Sequence, residues 1–494
     1  MSASAAPSEL PVVPLLIGNE PVVTGEWLDV MDPAAPRQVV GRVALASEAL
    51  SRRAVDVAHA AAERWGALEP ERRAEQLLAA VKEVEASQSQ NAELLVRENG
   101  KVRFEAEADV AVFTGRCRLA AGLAPELLPQ RLPRAGATPA GAPAYRTEVS
   151  HLPLGVVTIV VPFNWPLAIL SASLPYALIA GNAVIVKPPP TAPLAISRVL
   201  HALASKLPPG VLNVVSGSNA AVAPLITDPR VGRVVFTGST SAGRSIMQMA
   251  TTNLTRVTLE LGGNDPAIVL EDAELDRPTL ERLSMATFLT TGQVCMAIKR
   301  IYVHRRRYDD LVAGLTDILS KQRIGPGLLP TTTMGPLNSG RQLDYVSSLV
   351  AEARAAGHEV RELGTIDADA LAAGGHFLRP ALVLDPAPSA RIVTEEQFGP
   401  AVPILPYTEL DSVIRQVNGE WAGLGSSVWT SDLQRGAAVA ARIRAGSTWI
   451  NNASAMAIDD RAPFGGFRQS GMGREMGSAG LLEFTESHTV TFPG

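Results

Sequence analysis

Three observations predict an α/β fold of two lobes. Short apolar runs at 155–161, 183–186, 211–215 and 234–236 are separated by segments of helix length, as buried parallel strands joined by crossover helices would be. A second alternating series begins at Leu259. With 494 residues, the chain has room for about three lobes at roughly 150 residues each, and for a large core.

In chain order, the first ten residues lack both a positive start and an apolar centre, so they read as a flexible lead-in and not a secretory signal. Leu152 to Val186 carries no charge over 35 residues, a count that would suit a membrane span. Pro153, Pro162, Pro166 and Pro175, with Asn164, Gly181 and Asn182, break it into strand, loop, helix and strand. The run ending at Phe236 enters Thr-Gly-Ser-Thr, a strand-turn-helix where unpaired amides and the helix dipole favour an anion. The second series continues with an apolar run at 267–270, a helix over about 278–290 opened by Pro278 and closed by Gly292, a run at 301–304, and helices near 308–321 and 338–356. The segment from about 128 to 143, rich in Pro, Ala and Gly, is the one low-complexity candidate, and there is no internal repeat.

A net charge of -5, without a basic stripe, gives no reason to expect nucleic acid as a partner. Only Cys117 and Cys295 are present, so there is no disulfide framework and no Cys/His metal spacing; a reducing cytoplasm is the natural compartment. Cys117 falls within a helical pattern and reads as packing.

The chemistry concentrates in two glycine-marked runs, Val257-Thr-Leu-Glu-Leu-Gly-Gly-Asn-Asp-Pro266 and Phe288-Leu-Thr-Thr-Gly-Gln-Val-Cys295. Cys295 offers a nucleophile and Glu260 a base: a thiolate captures an electrophilic carbon, and a carboxylate activates the water that releases it. A free thiol titrates near ~8.5, so Cys295 needs its surroundings or a base to ionise near neutrality. Ala297 stands two residues beyond it, which excludes a neighbouring-thiol switch there.

With Pro162-Phe-Asn-Trp-Pro166, Val186-Lys-Pro188, Phe236-Thr-Gly-Ser-Thr240, Glu395-Glu-Gln-Phe-Gly-Pro400 and Pro463-Phe-Gly-Gly466 in the same order, the chain resembles the aldehyde dehydrogenase superfamily from about residue 16 onward. The resemblance implies two Rossmann-like lobes and a small β oligomerisation arm. It divides the chain into a dinucleotide-binding domain (1–128 and 152–258), a catalytic domain (259–450), an arm (129–151 and 480–494) and a return to the cofactor domain (451–479). It implies oxidation of an aldehyde to its acid with NAD or NADP, through a Cys295 thiohemiacetal and a thioester hydrolysed by water that Glu260 activates. Glu260 also argues against the branch that forms acyl-CoA.

By the same resemblance, Asn164 and the Cys295 backbone amide form the oxyanion site, although Asn164 also stands where it could cap the helix opening at Pro166. Glu475 matches a second carboxylate proposed to relay protons, with a surface salt bridge as its alternative. Gly238 and Ser239 fall at the pyrophosphate, Lys187 at the adenine ribose, and Glu396 and Phe398 at the nicotinamide ribose and ring. Pro190 replaces the glutamate that accepts from the ribose hydroxyls in NAD-preferring members, which admits NADP. Phe163, Trp165, Ile169, Leu289 and residues 453–458 fall near the substrate tunnel; Lys299 or Arg300, if turned toward it, would suit a semialdehyde carboxylate. The expected partners are a small aldehyde and further copies of the chain, in a homodimer or homotetramer, with no membrane and no metal. A non-catalytic binding protein, or a cysteine esterase without cofactor, is the alternative.

Overall fold

The computed structural model describes residues 10–133 and 145–493. Two large sheets organise them. In the first, five parallel strands run in the spatial order Arg256–Glu260, Val231–Thr237, Val156–Val160, Ala183–Lys187, Leu212–Val214. Gly471–Met472 closes one edge antiparallel, and Leu15–Ile17 followed by Glu20–Val22 closes the other. From Val156–Val160 the chain adds two strands on one side, then crosses back to add two on the other. The connection therefore reverses between Val156–Val160 and Val231–Thr237, and the crevice beyond their carboxyl ends is where open α/β sheets bind ligands.

The second sheet has six parallel strands, Ala381–Leu384, Ala401–Tyr407, Ile298–His304, Asp265–Val269, Gly425–Trp429 and Ser447–Ile450, with Glu359–Glu362 antiparallel at its edge. Its two faces bury separate apolar clusters, because successive side chains of a strand point opposite ways. Ala267, Val269, Ile301 and Val303 pack on one face, and Ile268, Leu270 and Tyr302 on the other. Runs buried on both faces explain why the sequence reads as continuous apolar stretches.

The boundary expected at 258/259 runs through a strand. Arg256–Glu260 pairs in parallel with Val231–Thr237 over its whole length, so the second series starts at Asp265 and not at Leu259. The chargeless stretch folds as the strand Val156–Val160, the short helices Pro166–Leu170 and Leu174–Ile179, and the strand Ala183–Lys187. Among the described residues, no helix is long and apolar enough to cross a membrane. Four helices, Glu48–Gly66, Pro70–Glu85, Gln88–Asn99 and Arg103–Gly122, precede the strand Val156–Val160. Of these, the sequence pattern marks only the helix carrying Cys117.

A third sheet joins Thr485–Pro493 to Tyr145–Pro153 over nine antiparallel pairs, with Gln130–Arg131 beyond. Much of it stays open to solvent. The lead-in at residues 1–9, residues 134–143 of the low-complexity segment and Gly494 lie outside the described residues.

Candidate active site

The carboxyl ends of the first sheet open into a cavity of about 760 Å3 that Cys295 reaches from the second lobe. Four of the five parallel strands each deliver one part. Val156–Val160 leads into Pro162, Phe163 and Asn164; Ala183–Lys187 ends on Lys187 with Pro190 just beyond; Val231–Thr237 leads into Gly238 and Ser239; Arg256–Glu260 ends on Glu260. Glu396 and Phe398 complete the wall.

Cys295 sits on a strained approach. Helix Arg277–Phe288 gives way to a tight turn over Leu289–Gly292, in which Thr290 and Thr291 have φ of 52° and 57°. Two β-branched residues in left-handed conformation persist only where their surroundings over-determine them. Here the Thr290 amide donates to Glu105 Oε1 (2.6 Å), the Trp165 indole donates to Thr290 Oγ1 (2.9 Å), and the Thr291 hydroxyl donates to the Gly335 carbonyl (2.9 Å). Gly292 has φ +74° and lies so close to Gly399 that a Cβ would stand 2.3 Å from its carbonyl oxygen. These long-range restraints aim Cys295 at the crevice. Burial pushes its thiol up to about 12; Lys299 opposes the rise, while Glu396, Asp265 and Glu260 add to it.

Glu260 is 4% exposed, and neither carboxylate oxygen finds a hydrogen-bond partner among the described residues. Burial raises its carboxyl well above the ordinary range, the charge of Glu475 raises it further, and Arg474 opposes. An unpartnered buried carboxylate facing a cavity suits a group that must take up a proton. Glu475 does not line the cavity. It is buried behind the strand edge, accepts from the Ser173 hydroxyl, and titrates at about 7, chiefly through burial. The surface salt bridge considered for Glu475 is therefore absent: its direct side-chain partner is a hydroxyl in the interior.

Asn164 is 3% exposed and lines the cavity beside Cys295. It does not cap the following helix: Trp165 is the N-cap, with no side-chain capping bond, so the Asn164 amide is left to the cavity. Ser239 caps Thr240–Ala250, its hydroxyl accepting from the Ala242 amide (3.3 Å), which sets a helix N-terminus at the cavity wall. Lys187 is half-buried, and burial lowers its ammonium, so it is no ordinary exposed lysine. Glu396 tucks against Gly262 and Gly263: the Gly263 amide donates to it (3.2 Å), and a Cβ on Gly262 would lie 2.2 Å from Oε2. Phe398, at φ +47°, meets Phe163 edge-on at 6.0 Å.

The family whose sequence profile matches this architecture is described as the aldehyde dehydrogenase family, over residues 22–490. The chain belongs to that family. It is 33% identical to the mitochondrial aldehyde dehydrogenase of Leishmania tarentolae, over 97% of this chain and 94% of that one. Its fold is similar to an E. coli NADP-dependent enzyme (TM-score 0.91, 30% identity, 97% and 98% covered). It is also similar to a Staphylococcus aureus betaine aldehyde dehydrogenase solved with NAD+ (TM-score 0.91, 28% identity, 97% of each chain). Like its relatives, this aldehyde dehydrogenase is an oxidoreductase.

Several expected tunnel residues do not line the cavity. Trp165 and Leu289 instead pack with Val294, Met296, Ala297 and Ala455 in a small apolar cluster flanking Cys295, and Lys101 covers the Trp165 ring at 3.5 Å. Neither Lys299 nor Arg300 faces the cavity: Lys299 donates to carbonyls of its own loop, and Arg300 binds the Asn264 carbonyl (3.0 Å) and Glu420 (2.6 Å). Both are pinned by backbone oxygens left free where the loop joins the strand. Sequence reasoning also missed Asn338, Ser339, Gln342 and Tyr345, which wall the cavity from the start of helix Gly340–Ala355. Ser339 as N-cap, accepting from the Gln342 amide, was a legible helix start, but nothing local pointed that end at the crevice.

Proposed function

We propose that this enzyme oxidises an aldehyde to its carboxylic acid, with Cys295 as nucleophile and NAD or NADP as hydride acceptor. The observation that carries the reading is convergence. Cys295, Glu260 and Asn164, from three separate segments, line one cavity with Lys187, Pro190, Gly238, Ser239, Glu396 and Phe398.

The cavity's character suits a dinucleotide. Val222, Ile226, Ile246 and Met249 give an apolar wall for a planar base, and the N-terminus of helix Thr240–Ala250 offers amides to a phosphate. Gly238 and Ser239 would hold the pyrophosphate, Lys187 the adenine ribose, and Glu396 and Phe398 the nicotinamide end. Of the lining residues, only Lys187, Glu260 and Glu396 carry charge, so no carboxylate stands beside Lys187 and Pro190 to repel a 2'-phosphate. When bound, the nicotinamide supplies the hydride acceptor.

The chain's own residues do the rest. The Cys295 sulfur adds to the aldehyde carbon, and the Asn164 amide and the Cys295 backbone N–H hold the developing oxyanion. After hydride loss leaves a thioester on Cys295, Glu260 takes a proton from water, which attacks the acyl carbon and frees the acid and the thiol. The raised proton affinity of Glu260 matches that task, and Glu475 behind it offers a second proton site. The first lobe serves as the dinucleotide-binding domain and the second as the catalytic domain. The exposed three-stranded sheet supports assembly into a homodimer or homotetramer, and the two free cysteines support a cytoplasmic setting.

The test mixes purified protein with an aldehyde panel and either NAD or NADP, following absorbance of the reduced nicotinamide, with Cys295→Ala as control. Reduction that the variant loses is expected. Failure to bind either nucleotide would overturn the reading.

A further inference from the structure

Lys299 has no part in the reaction as derived so far, yet it is the cation set directly behind the nucleophile. Its side chain is 2% exposed on the strand Ile298–His304, and its ammonium turns back on its own loop. There it donates to the carbonyls of Val294 (2.5 Å), Cys295 (3.0 Å) and Ala297 (3.5 Å). It also stands 3.7 Å from Glu396 Oε1 and 5.9 Å from the centre of the Phe398 ring. Asp265, at the start of the neighbouring strand and beside the Gly425 backbone, is the second carboxylate acting on this corner.

Gly263 makes the arrangement possible: a Cβ there would lie 2.7 Å from both the Cys295 carbonyl oxygen and Asp265 Oδ1. The charged groups acting on Cys295 are Lys299 and three carboxylates, Glu396, Asp265 and Glu260. Arg300, next along the strand, is committed to Asn264 and Glu420.

We propose that Lys299 is a positioning residue: it ties the Cys295 loop to Glu396 and supplies the positive charge against which the Cys295 thiolate forms. An ammonium that only filled space would not be placed on the nucleophile's own carbonyl and opposite a carboxylate of the cavity wall. A single ammonium thus couples the loop that carries the nucleophile to the wall that carries Glu396. The proposal rests on Cys295 being the nucleophile proposed above, but its test needs neither aldehyde nor nucleotide, so the two readings fail separately.

The readout is the rate at which iodoacetamide alkylates the free enzyme across pH. Cys117 is 0% exposed, so the rate reports Cys295. Lys299→Met, which keeps the length and removes the charge, should slow alkylation about tenfold at a fixed pH and move the profile to higher pH, since one opposite charge at close range commonly changes proton affinity by that much or more. Lys299→Arg should restore most of the rate. A Lys299→Met enzyme that melts cooperatively and is alkylated with the wild-type profile would overturn the proposal, as would a Lys299→Arg enzyme no faster than Lys299→Met. If Lys299→Met does not fold, Lys299→Gln decides in its place: a neutral side chain that can still donate to the loop carbonyls should slow alkylation about tenfold, and the wild-type profile would refute the proposal.

Discussion

Glu475→Gln separates the two buried carboxylates of the site. Glu475 is 5% exposed and titrates at about 7 against an ordinary 4.5, chiefly because burial penalises its charge; Ser173, Arg116 and Arg233 work against the rise. At about 1.4 kcal/mol for each tenfold change in proton affinity, holding that charge inside costs about 3 kcal/mol. Once ionised, Glu475 raises Glu260. Glutamine keeps the shape and an acceptor for Ser173 but never ionises, so Glu260 should lose its proton at a lower pH. A coupling of this kind commonly amounts to tenfold or more in proton affinity.

The expected result is a kcat profile whose acid limb lies at lower pH in the variant. Turnover should be up to about tenfold faster on that limb, provided hydrolysis limits the rate, and equal on the plateau. Stability gives a second readout. Below the ordinary carboxyl range, Glu475 is protonated in both folded and unfolded chains. As pH rises from 4.5 toward about 7, the unfolded chain releases the proton first and the folded enzyme loses stability, a loss that the variant escapes. The variant should therefore melt higher than wild type at roughly pH 8, with the gap closing near roughly pH 4. An acid limb that stays in place or moves upward, together with a melting difference that ignores pH, would refute the reasoning.

Three further outcomes are expected. Asn164→Ala should lower kcat by ~10² to 10³ while leaving the melting temperature nearly unchanged, because the amide serves the cavity and does not cap a helix; kinetics beside a thermal melt check both halves. Gly262→Ala puts a Cβ 2.2 Å from Glu396 Oε2, so the carboxylate must shift and its Oε1 leave the Gly263 amide, and the KM for the nucleotide should rise about tenfold, as expected for the loss of a charge-assisted hydrogen bond. Pro190→Glu places a carboxylate beside Lys187 and should lower the ratio of NADP to NAD affinity by at least roughly tenfold; equilibrium binding of both nucleotides measures it.

Much of this molecule was legible one segment at a time. The parallel strands announce themselves because both faces are buried, leaving continuous runs such as Val156–Val160 and Ala183–Lys187. Pro166 and Pro278 open helices where a missing amide costs nothing. Family motifs marked Cys295, Glu260 and Asn164, and folding gathers these three at one cavity. The second series starts later than the pattern suggests because Leu259 lies in the buried end of a strand whose pairing, and not its pattern, tells which sheet it joins.

Local pattern determined which stretches become strands and helices, and which residues carry a thiol, a carboxylate or an amide, since covalent structure and side-chain period are properties of neighbours along the chain. Tertiary structure alone decided the charge states and the partners. Ser173 and Glu475 are 302 residues apart, and Lys299 and Glu396 meet only because the strands Ile298–His304 and Ala401–Tyr407 lie side by side in the second sheet. Proton affinity follows from desolvation and from charges within a few ångströms, and those distances come into being only when the sheets pack.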